Sequence, residues 1–331
     1  MQVGISFLGS PADAFTLARE AEAAGADCFT AGEADHPAAA TALAAALATT
    51  RLEVGTTVSL AFARSPTAAA MEAWGLASAA PGRCFYGLGP QVRQVIERRF
   101  SAAFDPPVAR MSEYGEIVRR VLAACRGEQP EPFEGRLYQV SQFSFHAVGE
   151  PEIPAPPLYL GAVGPQMTAL AAREFDGFVG HGLATPAYLE ETVRPAVGDL
   201  PVTTAVMASL GDDLDAARYT ARRLVAFYGT TPAYEPIFEI EGLAELPPRL
   251  RALFRERRMD EMIELVDDEI AARFVLTGTP DRIADQLERY RGLADRVVLG
   301  GVGVGSTREH VLDNTRRIME VCRAYRGRHP A

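Results

Sequence analysis

The residues able to do chemistry fall in a few short stretches beside turn-forming positions. Glu33 and His36 share the segment Gly32-Glu33-Ala34-Asp35-His36-Pro37, and a carboxylate that orients an imidazole makes an acid/base pair suited to neutral pH. His181, followed by Gly182, is a third candidate for handling a proton. Each of these histidines could equally be a hydrogen-bonded loop residue. Arg93, Arg98 and Arg99 could grip a phosphate or carboxylate tail with their planar guanidinium forks, although Arg93 and Glu97 also have the spacing of a pair on one helical face. In Gly161-Ala162-Val163-Gly164-Pro165-Gln166-Met167, glycines precede a predicted helix start. Backbone N–H groups and the helix dipole there could cradle a phosphate, the other reading being a tight turn without a ligand. Gly300-Gly301-Val302-Gly303-Val304-Gly305 lacks the G-x-G-x-x-G spacing of a dinucleotide fingerprint. His146 reads as solvent-exposed, His310 and His329 as structural or surface positions, and Trp74 as core.

These groups need elements to position them. Strand-like runs at Val3–Leu8, Asp27–Gly32, Leu52–Leu60, Cys84–Leu88, Pro157–Ala162, Gly177–His181, Val202–Ser209 and Arg296–Gly300 alternate with helical patterns. These are Asp13–Ala24, Pro37–Thr49, Ser65–Ala80, Pro107–Arg126, Pro165–Phe175, Pro186–Val197, Leu214–Tyr228 and Arg308–Tyr325. Eight β-then-α units predict a single-domain α/β (β/α)8 TIM barrel, with chemistry at the C-terminal ends of its strands. An open doubly wound sheet is the alternative, because a count of units does not establish closure. Two stretches, Glu131–Pro156 and Tyr234–Arg273, read as insertions. The first carries Phe133, Tyr138, Phe143 and Phe145 in alternating positions, the pattern of a hairpin or lid with an aromatic face. The second contains Pro247-Pro248 and a charged helical run from Arg249 to Arg273, read as a solvated face.

Composition narrows the partners. The 331 residues carry a formal net charge of −10, which attracts neither nucleic acid nor an anionic bilayer, so a small-molecule substrate is expected. Cys28, Cys84, Cys125 and Cys322 form no C-x-x-C pair and stand at no zinc spacing, so neither a disulfide framework nor a metal is signalled. Without an export signal or an apolar run long enough to span a membrane, the cytoplasm is the expected compartment. The chain has no G-x-S-x-G, H-E-x-x-H or G-x-x-x-x-G-K motif, so hydrolase and kinase readings lose their usual support.

Taken in order, several motifs resemble the luciferase-like monooxygenase superfamily, in particular its branch using the deazaflavin coenzyme F420. They are Gly55-Thr56-Thr57-Val58, Ala63-Arg64-Ser65-Pro66, Gly87-Leu88-Gly89, Glu97-Arg98-Arg99-Phe100 and Ala109-Arg110-Met111-Ser112-Glu113-Tyr114. Phe133-Glu134-Gly135-Arg136-Leu137-Tyr138, Gly161-Ala162-Val163-Gly164-Pro165, Asp176-Gly177-Phe178 and Gly278-Thr279-Pro280-Asp281-Arg282-Ile283-Ala284 complete the series. The resemblance implies a cofactor ring at the strand C-termini, touching Phe7, Thr57, Val58, Gly89 and Gln91. It also implies a non-proline cis peptide at Thr57–Val58, a cofactor phosphate near Gly161–Met167, and Arg93 and Arg99 beside the anionic tail. It raises Glu33 and His36 as polar residues next to the ring. Where some deazaflavin dehydrogenases of the superfamily carry a proton-donating glutamate after the fourth strand, this chain has Pro90, Gln91 and Val92, so their sugar-phosphate chemistry does not transfer. The function implied is hydride transfer between C5 of F420 and a C=C, C=N or C=O bond of a small organic substrate, by a homodimer. An FMN-dependent monooxygenase and a non-catalytic flavin-binding barrel are the alternatives.

Overall fold

A computed structural model of the protein describes residues 1–143, 149–301 and 307–329. Eight parallel strands form the barrel: β1 Gln2–Phe7, β2 Cys28–Ala31, β3 Glu53–Thr56, β4 Cys84–Gly89, β5 Leu158–Gly161, β6 Gly177–Gly180, β7 Val202–Leu210 and β8 Arg296–Gly301. Each pairs with the next in chain order, and β8 pairs with β1 through Gln2↔Arg296 to Ser6↔Gly300. The β6–β7 pairing, Val202↔Phe178 to Thr204↔Gly180, completes the ring, so the sheet is a closed barrel and not an open one. A further parallel strand, Val275–Gly278, lies outside the ring and lengthens the outer end of β7.

The side-chain period of two divides each strand between helices and axis. Val3, Ile5 and Phe7 are buried against the helical layer, where Phe7 meets Phe29 with ring centroids 5.9 Å apart. That face turns Phe7 away from the barrel interior, toward which the neighbouring Ser6 points. Inside, Arg296 closes the N-terminal end. Its guanidinium donates to both Glu53 carboxylate oxygens at 2.6 and 2.5 Å, to Thr203 Oγ1 at 2.8 Å and to Gln2 Oε1 at 3.1 Å. It also lies 4.9 Å from the centre of the Phe85 ring, which stacks on Tyr159. With this end plugged by a satisfied charge, the barrel opens at the strand C-termini.

The helices follow the expected pattern, with Pro at the first helical turn of Pro11–Ala24, Pro66–Ala79, Pro107–Cys125 and Pro165–Glu174, where its missing N–H costs nothing. The charged stretch of the second insertion is not one helix. It breaks into Leu246–Arg255, Met259–Glu264 and Asp268–Phe274, interrupted at Arg257 with φ 59° and restarted where the Asp267 side chain caps the Ile270 N–H. Among the described residues no helix is long and apolar enough to cross a membrane.

Candidate active site

At the open end, β3 stops at Thr56, and the Thr57–Val58 peptide bond just beyond it is cis, as the resemblance implies. Thr56 Oγ1 donates to Gly87 O at 2.7 Å, and Thr57 Oγ1 donates to Thr30 Oγ1 at 2.8 Å. These bonds fix the strand end on both sides. The Val58 side chain then fills the space that side chains on the neighbouring strands would need. A Cβ on Gly89 would lie 2.5 Å from Val58 Cγ2, and one on Gly161 2.9 Å from Val58 Cγ1. The two glycines and Val58 form one apolar seat, flat because nothing projects from β4 or β5 beside it.

Next to the seat, helix Pro165–Glu174 begins at Gly164, whose extended backbone offers no capping side chain. The first N–H groups of a helix have no partner within it, and here no side chain among the described residues caps those of Gln166 and Met167. Ala162 is buried, while Gln166 is exposed. The Tyr188 hydroxyl donates to Val163 O and ties the turn to the following βα unit. Gly161–Met167 therefore joins an apolar seat to an uncapped helix start, an arrangement suited to a ring carrying an anionic group.

The three proton-handling candidates fare differently. Glu33 does not pair with His36. Its carboxylate accepts from Arg64 Nη2 at 2.5 Å, from Leu60 N at 3.2 Å and from Ser59 Oγ at 3.4 Å. Arg64 also donates to Ser59 Oγ and Leu60 O, and the Tyr86 hydroxyl links Ser59 to Glu72. Burial alone would make Arg64 a weaker base, but the bond and charge of Glu33 reverse that and keep its pKa raised. Glu33 is thus held within a charge network with Arg64, Ser59 and Leu60. His36 is exposed at the rim. His181 follows β6 at the mouth, stacked on Tyr234 at 4.1 Å and edge-on to Tyr228 at 5.4 Å. Its Nδ1 accepts from Leu183 N at 3.2 Å, which assigns the ring proton to Nε2. Burial pushes its pKa down to about 4, so at neutral pH it is an uncharged donor and not an imidazolium acid.

The arginines are also sorted. Arg93 is engaged by Asp105 through both terminal nitrogens and by Glu97 at 3.2 Å, the pairing its spacing allowed, which leaves it little capacity for an anionic tail. Arg99 donates to Ala34 O at 2.7 Å, and Arg98 is exposed beside it. Gln91, at φ 62°, turns its side-chain oxygen back to accept from Val92 N at 2.9 Å. The hairpin Phe133–Glu134 with Gln139–Val140 forms as expected. Its aromatic side chains are not a lid, however: Tyr138 packs edge-on to Tyr114, and Arg120 covers Phe133. Phe145 and His146 lie outside the described residues, as do Val302, Gly303, Val304 and Gly305. Tyr228, Tyr234 and Arg64 are the contributors missed by sequence reasoning. The two tyrosines flank the boundary of the second insertion and Arg64 sits inside a quoted motif, but only the fold brings the tyrosines against His181 and Arg64 against Glu33. Among the described residues no group of three or more His, Cys, Asp or Glu could hold a metal ion.

Comparison with known proteins identifies the family and the fold. The sequence profile of the luciferase-like monooxygenase family matches residues 3–296. An uncharacterized protein of Mycobacterium tuberculosis is 35% identical over 304 residues, covering 85% of this chain and 89% of its own. A second protein of that organism, named as a candidate coenzyme F420-dependent oxidoreductase, is 30% identical over 91% of this chain and 94% of its own. The fold is similar to that of coenzyme F420-dependent tetrahydromethanopterin reductase from Methanopyrus kandleri, with a TM-score of 0.77 at 20% identity, covering 96% and 97% of the two chains. It is similar also to that of a monooxygenase from Streptomyces bottropensis, with a TM-score of 0.68 at 19% identity over the whole of both chains.

Proposed function

The chain belongs to the luciferase-like monooxygenase family, and from that premise we propose that it is an F420-dependent oxidoreductase acting on a small organic substrate in the cytoplasm. When bound, the deazaflavin would supply a hydride at C5 for a C=C, C=N or C=O bond. The observation that carries the reading is the seat of Val58 between Gly89 and Gly161, continuous with the uncapped start of helix Pro165–Glu174. Val58 and the two glycines would hold the ring face. Ala162, Val163 and Gly164, with the N–H groups of Gln166 and Met167, would hold the phosphate. Gln91 would reach the ring edge through its amide nitrogen, and Arg98 and Arg99 would meet the anionic tail at the rim. Glu33 and Arg64 keep the Val58 strand in place, and His181 presents a neutral donor to the substrate side. His36, exposed beside the mouth, is the remaining group able to exchange a proton with solvent.

FMN is the competing cofactor, because a monooxygenase shares the fold and the seat suits either tricyclic ring. The four cysteines are free thiols, in keeping with a reducing compartment. Assembly as a homodimer is part of the same reading. Titration of the purified protein with F420 and with FMN, in both redox states and followed by fluorescence, tests it. Saturable one-to-one binding of F420 with negligible FMN binding is expected. The opposite preference would replace hydride transfer with oxygen-dependent flavin chemistry, and binding of either without any turnover would leave a non-catalytic barrel.

A further inference from the structure

If the cofactor occupies the β3–β5 side of the mouth, the substrate must meet the β6–β7 side, where His181, Gly182, Met207, Tyr228 and Tyr234 come together. His181 stands at the end of β6. Its neighbour Gly182 lies so close to Met207 of β7 that an added Cβ would fall 2.9 Å from Met207 Cε. Tyr228, near the end of helix Leu214–Gly229, and Tyr234, at the start of the second insertion, enclose the imidazole and remain partly accessible themselves. The stack on Tyr234, with planes 24° apart, and the Leu183 N–H on Nδ1 fix both the ring plane and the tautomer. Nε2–H makes no hydrogen bond to another described residue. A fixed donor held between two aromatic rings favours a flat molecule bearing one acceptor, and none of His181, Gly182, Met207, Tyr228 and Tyr234 brings a cation to compensate a desolvated carboxylate or phosphate.

We propose that His181, Tyr228 and Tyr234 form the substrate-recognition wall for a flat, uncharged carbonyl or imine compound, with His181 Nε2–H donating to the acceptor atom of the C=O or C=N group. This rests on the reading of the mouth as the active site and adds the substrate class. A fixed neutral donor is also well matched to negative charge growing on that acceptor atom.

The test uses the full chain labelled with 15N-histidine, with and without oxidised F420, titrated with acetophenone, ethylbenzene and benzoate. Acetophenone is expected to shift the His181 Nε2 resonance and to bind about tenfold more tightly than ethylbenzene, the scale of one hydrogen bond that the site would otherwise leave unmade. Benzoate is expected to bind most weakly. His181→Phe, which keeps the stack and removes the donor, should reduce acetophenone affinity to that of ethylbenzene while cofactor binding is unchanged. His181→Gln should recover part of the preference, and Tyr234→Leu should weaken both neutral probes. Equal binding of acetophenone and ethylbenzene to the unmodified protein, or tightest binding of benzoate, would overturn the proposal. So would a His181→Phe variant that loses cofactor affinity as much as probe affinity. If neither F420 nor FMN binds but acetophenone still reports at His181, the cofactor reading fails and the recognition wall stands.

Discussion

His181 shows how far a residue's environment sets its chemistry. A free imidazole titrates near 6.5, whereas burial brings this one to about 4. The chain has no lysine, so its 33 basic residues are arginines that stay charged throughout this range. The sign of the consequence follows from proton counting. Between pH 6.5 and 4 the unfolded chain binds a proton at this position and the folded chain does not, so folding stability contributed here is complete above 6.5 and falls as pH drops toward 4. The slope is at most about 1.4 kcal/mol per pH unit. Urea unfolding of the protein and of His181→Gln at several values between pH 4.5 and 7 should give curves that converge as acidity rises; parallel curves would mean an ordinary histidine. Strand ends and glycines are legible locally and marked His181, Gly89 and Gly161, whereas Thr57–Val58 was marked only by the family resemblance. Sequence alone did not show the partner of Glu33, whose nearest imidazole in sequence is His36 but whose partner in space, Arg64, lies 31 residues away.

Elements make such partners. The Glu33–Arg64 pair ties the turn after β2 to the segment that carries Val58, with side-chain exposures of only 5% and 14%. Arg64→Ala would leave a mostly buried carboxylate without its counter-charge, and a loss of about 3–5 kcal/mol is expected. Equilibrium unfolding measures that loss, and weaker F420 or FMN binding should accompany it because the Val58 seat shifts. Glycine-to-alanine exchanges separate packing from propensity in neighbouring elements. In β4, a Cβ at Gly87 would stand 2.1 Å from the Thr56 backbone oxygen, a clash that only backbone movement relieves, so Gly87→Ala should destabilise by about 2 kcal/mol or more. In helix Pro66–Ala79, Gly75 has no heavy atom within 4 Å of that position, and Gly75→Ala should stabilise by roughly 0.5–1 kcal/mol. Thermal unfolding midpoints moving in the same direction would refute this account of the two sites. All eight barrel strands were legible as periodic runs. The strand Val275–Gly278 was not, because it follows a helix inside what reads as a charged insertion, and its role appears only through pairing with β7.

Closure of the whole barrel depends on β6–β7 and β8–β1 pairing, contacts that no local pattern encodes, and assembly lies further still from the sequence. The outer surface nevertheless carries a signal. Helix Ala38–Ala48 has no charged residue, and helix Pro66–Ala79 has one, Glu72, whose carboxylate is engaged by Arg64 and the Tyr86 hydroxyl. Leu47 is 66% exposed and Met71 56% exposed on these adjacent helices. Alanines between them allow close helix approach, and a monomer has no reason to leave such a face in water. A two-fold arrangement would bury the same face on both copies at once. Light scattering after gel filtration should therefore give twice the 35.6 kDa chain mass, and Leu47→Glu with Met71→Glu should reduce it to the monomer value while the folded circular dichroism spectrum is retained. Phe254→Glu supplies the control, since Phe254 is 43% exposed but lies on the charged helix Leu246–Arg255, and its mass should stay dimeric. A doubly substituted protein that remains dimeric would move the interface elsewhere on the barrel, and a monomeric parent would leave this face for some other partner.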